Sequence, residues 1–231
     1  MAFDITPTEG GCQIVSHGQA AHASTPWNGV NAASYLVELL SHVFGKEQLG
    51  TFFGFIHEKI GLATDGSQIG VQMSDEPSGP LTFNLGLVNV DEKQCSLTVD
   101  IRYPATKKGS DVTAALKEQV ESCGVEFVLL SDAEPLYLPK ESQLVTLLSG
   151  AYKDVTGEEC DIFSMGGGTY ARQMFGKGVP SAPALRTRRT AGPTRPTNFW
   201  ICAGSSSMRR SAWRPCTGCS PRSKPWHSIP T

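Results

Sequence analysis

Residues 81–103 read LTFNLGLVNVDEKQCSLTVDIRY. Leu81, Phe83, Leu85 and Leu87 fall at every second position, and so do Leu97, Val99 and Ile101. Strict alternation marks half-buried strands. The charged link Asp91-Glu92-Lys93 turns the chain between them. Leu81–Val90 and Gln94–Tyr103 are therefore expected to form an antiparallel hairpin.

Upstream, Cys12–His17 alternates like a short strand after Gly10-Gly11. Across 28–44, Val30, Ala33, Leu36, Val37, Leu40 and Val43 recur at helical steps, with Asn28 as the expected cap and Gly45 as the stop. A weaker helix is expected over 47–60, carrying Phe52, Phe53, Phe55, Ile56 and Ile60. Residues 61–80 read as loop. Downstream, Ser110–Cys123 places Val112, Ala115, Leu116 and Val120 on one helical face, Gly124 closes it, and Val125–Leu130 reads as a strand. The order is β-α-(α)-β-β-α-β, that of a ferredoxin-like sandwich with its helices on one face of one sheet. The expected fold class is thus α+β / α/β. Beyond it, Glu141–Thr156 reads as a helix with Leu144, Leu147, Leu148 and Tyr152 in line, and Asp161–Ser164 as a short strand before MGGGTYAR at 165–172. Three parts are expected: a ferredoxin-like domain over 1–134, a piece of a second α/β unit over 135–178, and a tail over 179–231.

Charge separates the tail from the rest. The chain has 231 residues, 39% of them hydrophobic, and a net charge of −2. All 22 acidic residues lie before Val179, against 11 Lys plus Arg. The tail holds 9 Lys plus Arg, no acid, 8 of the 15 Pro, 3 of the 4 Trp and 3 of the 7 Cys. Its lack of periodicity predicts no packed core and a disordered segment. No apolar run is long enough for a membrane span, and the start lacks the pattern of a signal peptide. Seven Cys at scattered positions do not read as a disulfide framework, so a cytoplasmic chain with reduced thiols is expected.

Three stretches could carry chemistry. In SHGQAAHASTP (16–26), His22 sits among small residues that allow close approach, although a loop histidine that only packs locally is the commoner case. In DIRYP (100–104), Arg102 ends a strand. It either pairs with Asp100 or grips a carboxylate, which its planar guanidinium suits. Gly166-Gly167-Gly168-Thr169 follows a short strand, where backbone N–H groups could face an anion, or where only Gly fits the turn. Neither GxGxxG nor GxxxxGK[ST] occurs, so nucleotide binding is not supported. Cys216-Thr217-Gly218-Cys219 has no second pair, and no HExxH or similar ligand run exists, so no metal site is expected in this chain. No GxSxG elbow supports a serine hydrolase.

AAHASTPWNGVNAA (20–33), DIRYP and GGGTYAR, in this order and spacing, resemble the zinc-dependent metallopeptidases that include aminoacylase, the glutamate-releasing carboxypeptidase and the carnosine-type dipeptidases. The bacterial Xaa-His dipeptidase branch is the most similar, over roughly residues 10–179. The resemblance implies a catalytic domain that binds two zinc ions, with a ferredoxin-like lid or dimerisation domain inserted. His22 is similar to the lid histidine that stabilises the oxyanion of the tetrahedral intermediate. Arg102 is similar to the lid arginine that holds the substrate's C-terminal carboxylate. Gly167, Gly168 and Thr169 resemble the catalytic-domain turn lining the substrate site. The family's zinc ligands lie before the lid, apart from a final histidine, so the expectation is an N-terminally truncated chain without cofactor, inactive alone. A dipeptide is the expected substrate of the intact enzyme, and a homodimer through the lid the expected assembly.

The final family histidine belongs in a segment such as AHQADE, which is absent as protein. Synonymous codons for Val179-Pro180-Ser181-Ala182-Pro183 can spell AFGP two bases on, and the same frame over 192–202 permits AHQADEFLDL. A one-base deletion near Val179 would account for both and for the acid-free tail. Two other functions compete: a non-catalytic self-associating module, and a basic arm for nucleic acid. The Pro, Cys and Trp content of the tail is unlike ordinary basic arms, which argues against nucleic acid as partner.

Overall fold

The computed structural model describes residues 1–168, 170–174 and 177–179, together with the backbone of 199–200 and 206–215. In chain order the strands are β1 (Ala2–Thr8), β2 (Gly11–His17), β3 (Ser74–Asp75), β4 (Gly79–Pro80), β5 (Thr82–Val90), β6 (Cys95–Tyr103), β7 (Val125–Glu126), β8 (Ile162–Phe163), β9 (Phe199–Trp200) and β10 (Ser206–Pro215). The α-helices are α1 (Ala32–Phe55), α2 (Gly109–Glu121) and α3 (Gln143–Thr156).

The expected hairpin is present: β5 pairs antiparallel with β6, from Thr82 opposite Arg102 to Val90 opposite Cys95. Asp91 closes its turn by accepting from the Lys93 and Gln94 amides at 2.7 and 2.8 Å. One detail departs from simple alternation. The register shifts between Leu85, opposite Val99, and Leu87, opposite Thr98. The extra residue, Gly86, makes a bulge, and a bulge reverses which positions face inward. Leu87 is consequently 53% exposed instead of buried, while Val88 packs on the core.

Leu97, Val99 and Ile101 of β6 share one buried cluster with Phe83 and Leu85 of β5, Val112, Leu116 and Val120 of α2, and Val37 of α1. Period two then puts Thr98, Asp100 and Arg102 on the opposite face of β6. That division of faces positions the candidate site.

Several local expectations change. The cap of α1 is Asn31, not Asn28, which lies in a 3-10 turn at Pro26–Asn28. The Asn31 side chain accepts from the Ala33 and Ser34 amides and donates to the Leu85 carbonyl at 2.7 Å. The chain does break at Gly45, where φ is +70°, but helical segments resume beyond it and beyond Gly50, ending in a π turn at Ile56–Ile60. The last strand of the sandwich is only Val125–Glu126. In α3, Leu147 is exposed while Val145 is buried.

The sheet itself differs most. Cys12–His17 forms a strand, but it pairs with Ala2–Thr8 across the tight turn Glu9-Gly10. Gly10 supplies the φ of +84° that so short a turn needs. β2 stays in this two-stranded sheet, and the slot between β6 and β7 is taken by β10, antiparallel to both. The four-stranded order is β5-β6-β10-β7. The molecule is therefore mixed α/β with small antiparallel sheets, without the uninterrupted ferredoxin-like sheet expected of residues 12–130. The tail, which shows no strand periodicity, contributes β10 and β9, the latter parallel to β8. The remainder of 180–231, including Cys216 and Cys219, lies outside the described residues. Cys12, Cys95, Cys123 and Cys160 are free thiols. No helix among the described residues is long and apolar enough to cross a membrane.

Candidate substrate-clamping site

Arg102 is 8% exposed, at the end of β6. A buried guanidinium needs partners for its charge and its donors. Asp100, two residues back on the same face, supplies the charge. Its Oδ2 accepts from Nη2 at 3.3 Å, and its Oδ1 lies 3.3 Å from Nε. Nη1 donates to the Gly166 carbonyl. The end of β6 and the Gly-rich turn, 64 residues apart in sequence, thus meet at Arg102. A second tie joins the same two regions: the Ser164 hydroxyl donates to the Pro77 carbonyl, in the β3–β4 turn.

The His22 loop reaches the same end of the sheet. Thr82, the register partner of Arg102, donates its hydroxyl to the Ala23 carbonyl at 3.4 Å. The loop is closed at its base by the Gln19–Val30 backbone pair, at 3.0 and 2.9 Å. Gly29 is required there, because a Cβ on it would stand 2.6 Å from the Gln19 carbonyl oxygen and 2.7 Å from the Ala21 Cβ. Inside the loop, the Thr25 amide donates to the His22 carbonyl at 2.8 Å. The Ser24 amide donates to His22 Nδ1 at 3.2 Å, and the Ser24 hydroxyl lies 2.7 Å from the same nitrogen. A nitrogen that accepts from an amide carries no proton, so the neutral ring bears its proton on Nε2. His22 is exposed, and Nε2–H is a donor held in a set orientation.

Gly167 and Gly168 lie in the turn after β8, beside the Gly166 carbonyl that meets Arg102. The Arg172 guanidinium packs over Gly168, 3.1 Å from where a Cβ would be. Thr169 lies outside the described residues. A groove of about 410 Å³ runs alongside, lined by Gly18–Ala21, Val30–Ala33 and Asn84–Gly86 among others; neither His22 nor Arg102 lines it. Sequence reasoning named His22 and Arg102 but missed Ser24 and Thr82. The hairpin register gives Thr82 as the neighbour of Arg102, and a hydroxyl two residues after a loop histidine is the signal for Ser24.

No three of His, Cys, Asp and Glu among the described residues come together as a metal-binding group. His17 pairs with Asp4 at 2.6 Å, and Glu38 lies 2.9 Å from His57 and 3.9 Å from His42. The two-zinc centre implied by the resemblance does not fit the described residues.

A mixed α/β domain with a buried arginine at its sheet end, reached by a histidine loop, is the class these features define. The family model for the peptidase dimerisation domain (M20) matches residues 10–127, and the chain belongs to that family. Its relatives include the "Putative dipeptidase YtjP" of Bacillus subtilis, 32% identical over 175 residues, covering 72% of this chain and 37% of that protein. The "Putative dipeptidase SH1171" of Staphylococcus haemolyticus is 27% identical over 167 residues, covering 72% and 35%. The "Putative dipeptidase SAUSA300_1697" of Staphylococcus aureus is 27% identical over 177 residues, covering 76% and 38%. The chain spans little more than a third of the length of these relatives.

Proposed function

We propose that this chain is the substrate-clamping part of a dipeptidase of the M20 peptidase family, with Xaa-His dipeptides of the carnosine type as substrates. Arg102 takes the C-terminal carboxylate, and His22 offers Nε2–H to the carbonyl oxygen as it becomes an oxyanion. By the resemblance, Gly167, Gly168 and Thr169 are assigned substrate-binding roles in the same site. The observation that carries this is the meeting of Arg102 with the Gly166 carbonyl, beside the loop that holds His22 as an Nε2–H donor.

Zinc, where bound in the intact family enzyme, would activate the attacking water. The described residues hold no ligand group for it, so the hydrolytic step is not assigned to them. This chain alone is expected to bind no stoichiometric zinc and to cleave neither carnosine nor Ala-His. Metal analysis after gel filtration and a ninhydrin assay check this; zinc-dependent turnover by the purified chain would contradict it.

A self-associating role is favoured by one further feature. β5 is an edge strand of the four-stranded sheet, and Leu87 and Val90 near its end are exposed. The inner part of that edge is occupied, Phe83 donating to the Thr64 carbonyl and Leu85 accepting from Asn31, so strand addition from a second copy would start at the outer end, over 87–90. Sedimentation of the full chain is expected to show a dimer that Leu87→Lys weakens.

A further inference from the structure

We infer that Asp100 is the positioning residue for Arg102, and that the Gly166 carbonyl covers the outer edge of the Arg102 guanidinium until a carboxylate displaces it. This rests on the proposed role of Arg102 as the carboxylate grip. A guanidinium has a side edge, Nε with Nη2, and an end edge, Nη1 with Nη2. Asp100 stands on the side edge, with Oδ1 3.3 Å from Nε and Oδ2 3.3 Å from Nη2. The end edge is thereby turned away from Asp100, toward the 166–168 turn, where Nη1 donates to the Gly166 carbonyl. Because residue 166 is Gly, the turn meets the guanidinium with its backbone alone.

The fit at Asp100 is incomplete. Nε and Oδ1 are both buried, yet neither makes a directed hydrogen bond despite their 3.3 Å separation. The guanidinium is held slightly off the orientation that would satisfy its side edge. Among the described residues the Gly166 carbonyl is its other acceptor, on Nη1. A neutral carbonyl offers the end edge one acceptor, whereas a carboxylate offers two and a charge, so the carboxylate wins the exchange. Thr82, opposite Arg102, does not compete, since its hydroxyl is turned to the Ala23 carbonyl.

The test is nitrogen-15 NMR of the full chain with labelled arginine, the Arg102 Nε–H signal being identified by its loss in Arg102→Lys. In the unmodified protein this proton should exchange slowly, and the guanidinium should show cross-relaxation to the Gly166 α-protons. Asp100→Asn should speed Nε–H exchange by about tenfold or more, the effect of losing the carboxylate that holds the side edge through Nη2 and its charge. Asp100→Glu, which keeps the charge one methylene further out, should restore part of the protection. Unchanged exchange in Asp100→Asn overturns the positioning role. Absent cross-relaxation to Gly166 in the unmodified protein overturns the covering role, and needs no variant to fold. Saturating carnosine should abolish the Gly166 signal, and carnosine carboxamide should leave it. Persistence of that signal with carnosine bound overturns the displacement. Should carnosine fail to bind while Asp100→Asn still frees Nε–H, Asp100 keeps its role and the carboxylate function of Arg102 falls.

Discussion

Arg102 is the residue on which the two halves of the site depend. Replacing it with Met leaves Asp100 with a largely buried carboxylate and no counter-charge, and frees the Gly166 carbonyl. Each such loss costs about 1–3 kcal/mol. Arg102→Met is therefore expected to lower the denaturant midpoint as well as ligand affinity, whereas Arg102→Lys should keep most of the stability and lose the fork geometry. At His22 the expected state is the Nε2–H tautomer, readable from the nitrogen-15 shifts of the ring above pH 8. Ser24→Pro removes the amide that fixes it and should mix the tautomers. The sequence singles out His22 and Arg102 as candidates by their surroundings. Their partners were not legible, because Thr82 and Gly166 come beside Arg102 only through pairings 20 and 64 residues long.

Among the elements, α1 and the β3–β4 turn carry the clearest consequences. Asn31 caps α1 and ties it to β5 with three side-chain hydrogen bonds. Asn31→Ala should cost about 1–2 kcal/mol by chemical denaturation, whereas Asn28→Ala should cost little. Asp75 joins the β3–β4 turn to the loop after β6. Burial pushes its carboxyl up, but hydrogen bonds from the Ser78 hydroxyl and the Thr106 and Ser78 amides pull it further down, leaving it below its ordinary 3.8. A folded value below the unfolded one means Asp75 stabilises fully above 3.8 and loses that contribution as pH falls through the lower folded value. Asp75→Asn should therefore flatten the acid limb of stability as pH falls below 3.8. The elements themselves were largely readable: the 81–103 hairpin, α2 and α3 lie within a few residues of their expected spans. Leu87 failed because alternation cannot reveal the bulge at Gly86, and Asn28 because two asparagines three apart look equally fit to cap.

At the scale of the whole molecule, the elements between 81 and 156 were legible, but β1, the short β3 and β4 and the tail strands were not, and neither was the pairing. Cys12–His17 had two possible mates, and the two-residue turn at Glu9-Gly10 gives it the near one. Non-local pairing must overcome loop-closure entropy that a tight hairpin avoids. The same reasoning makes the site legible only in pieces, since the His22 loop, β6 and the Gly-rich turn converge through the fold. The most direct test of the clamp is calorimetric titration of the full chain with carnosine and with its carboxamide, for the unmodified protein and for Arg102→Lys. The clamp predicts that carnosine binds at least about tenfold more tightly than the carboxamide, and that Arg102→Lys abolishes this difference. Equal affinity for the two ligands in the unmodified protein, or a preference that survives Arg102→Lys, would contradict it.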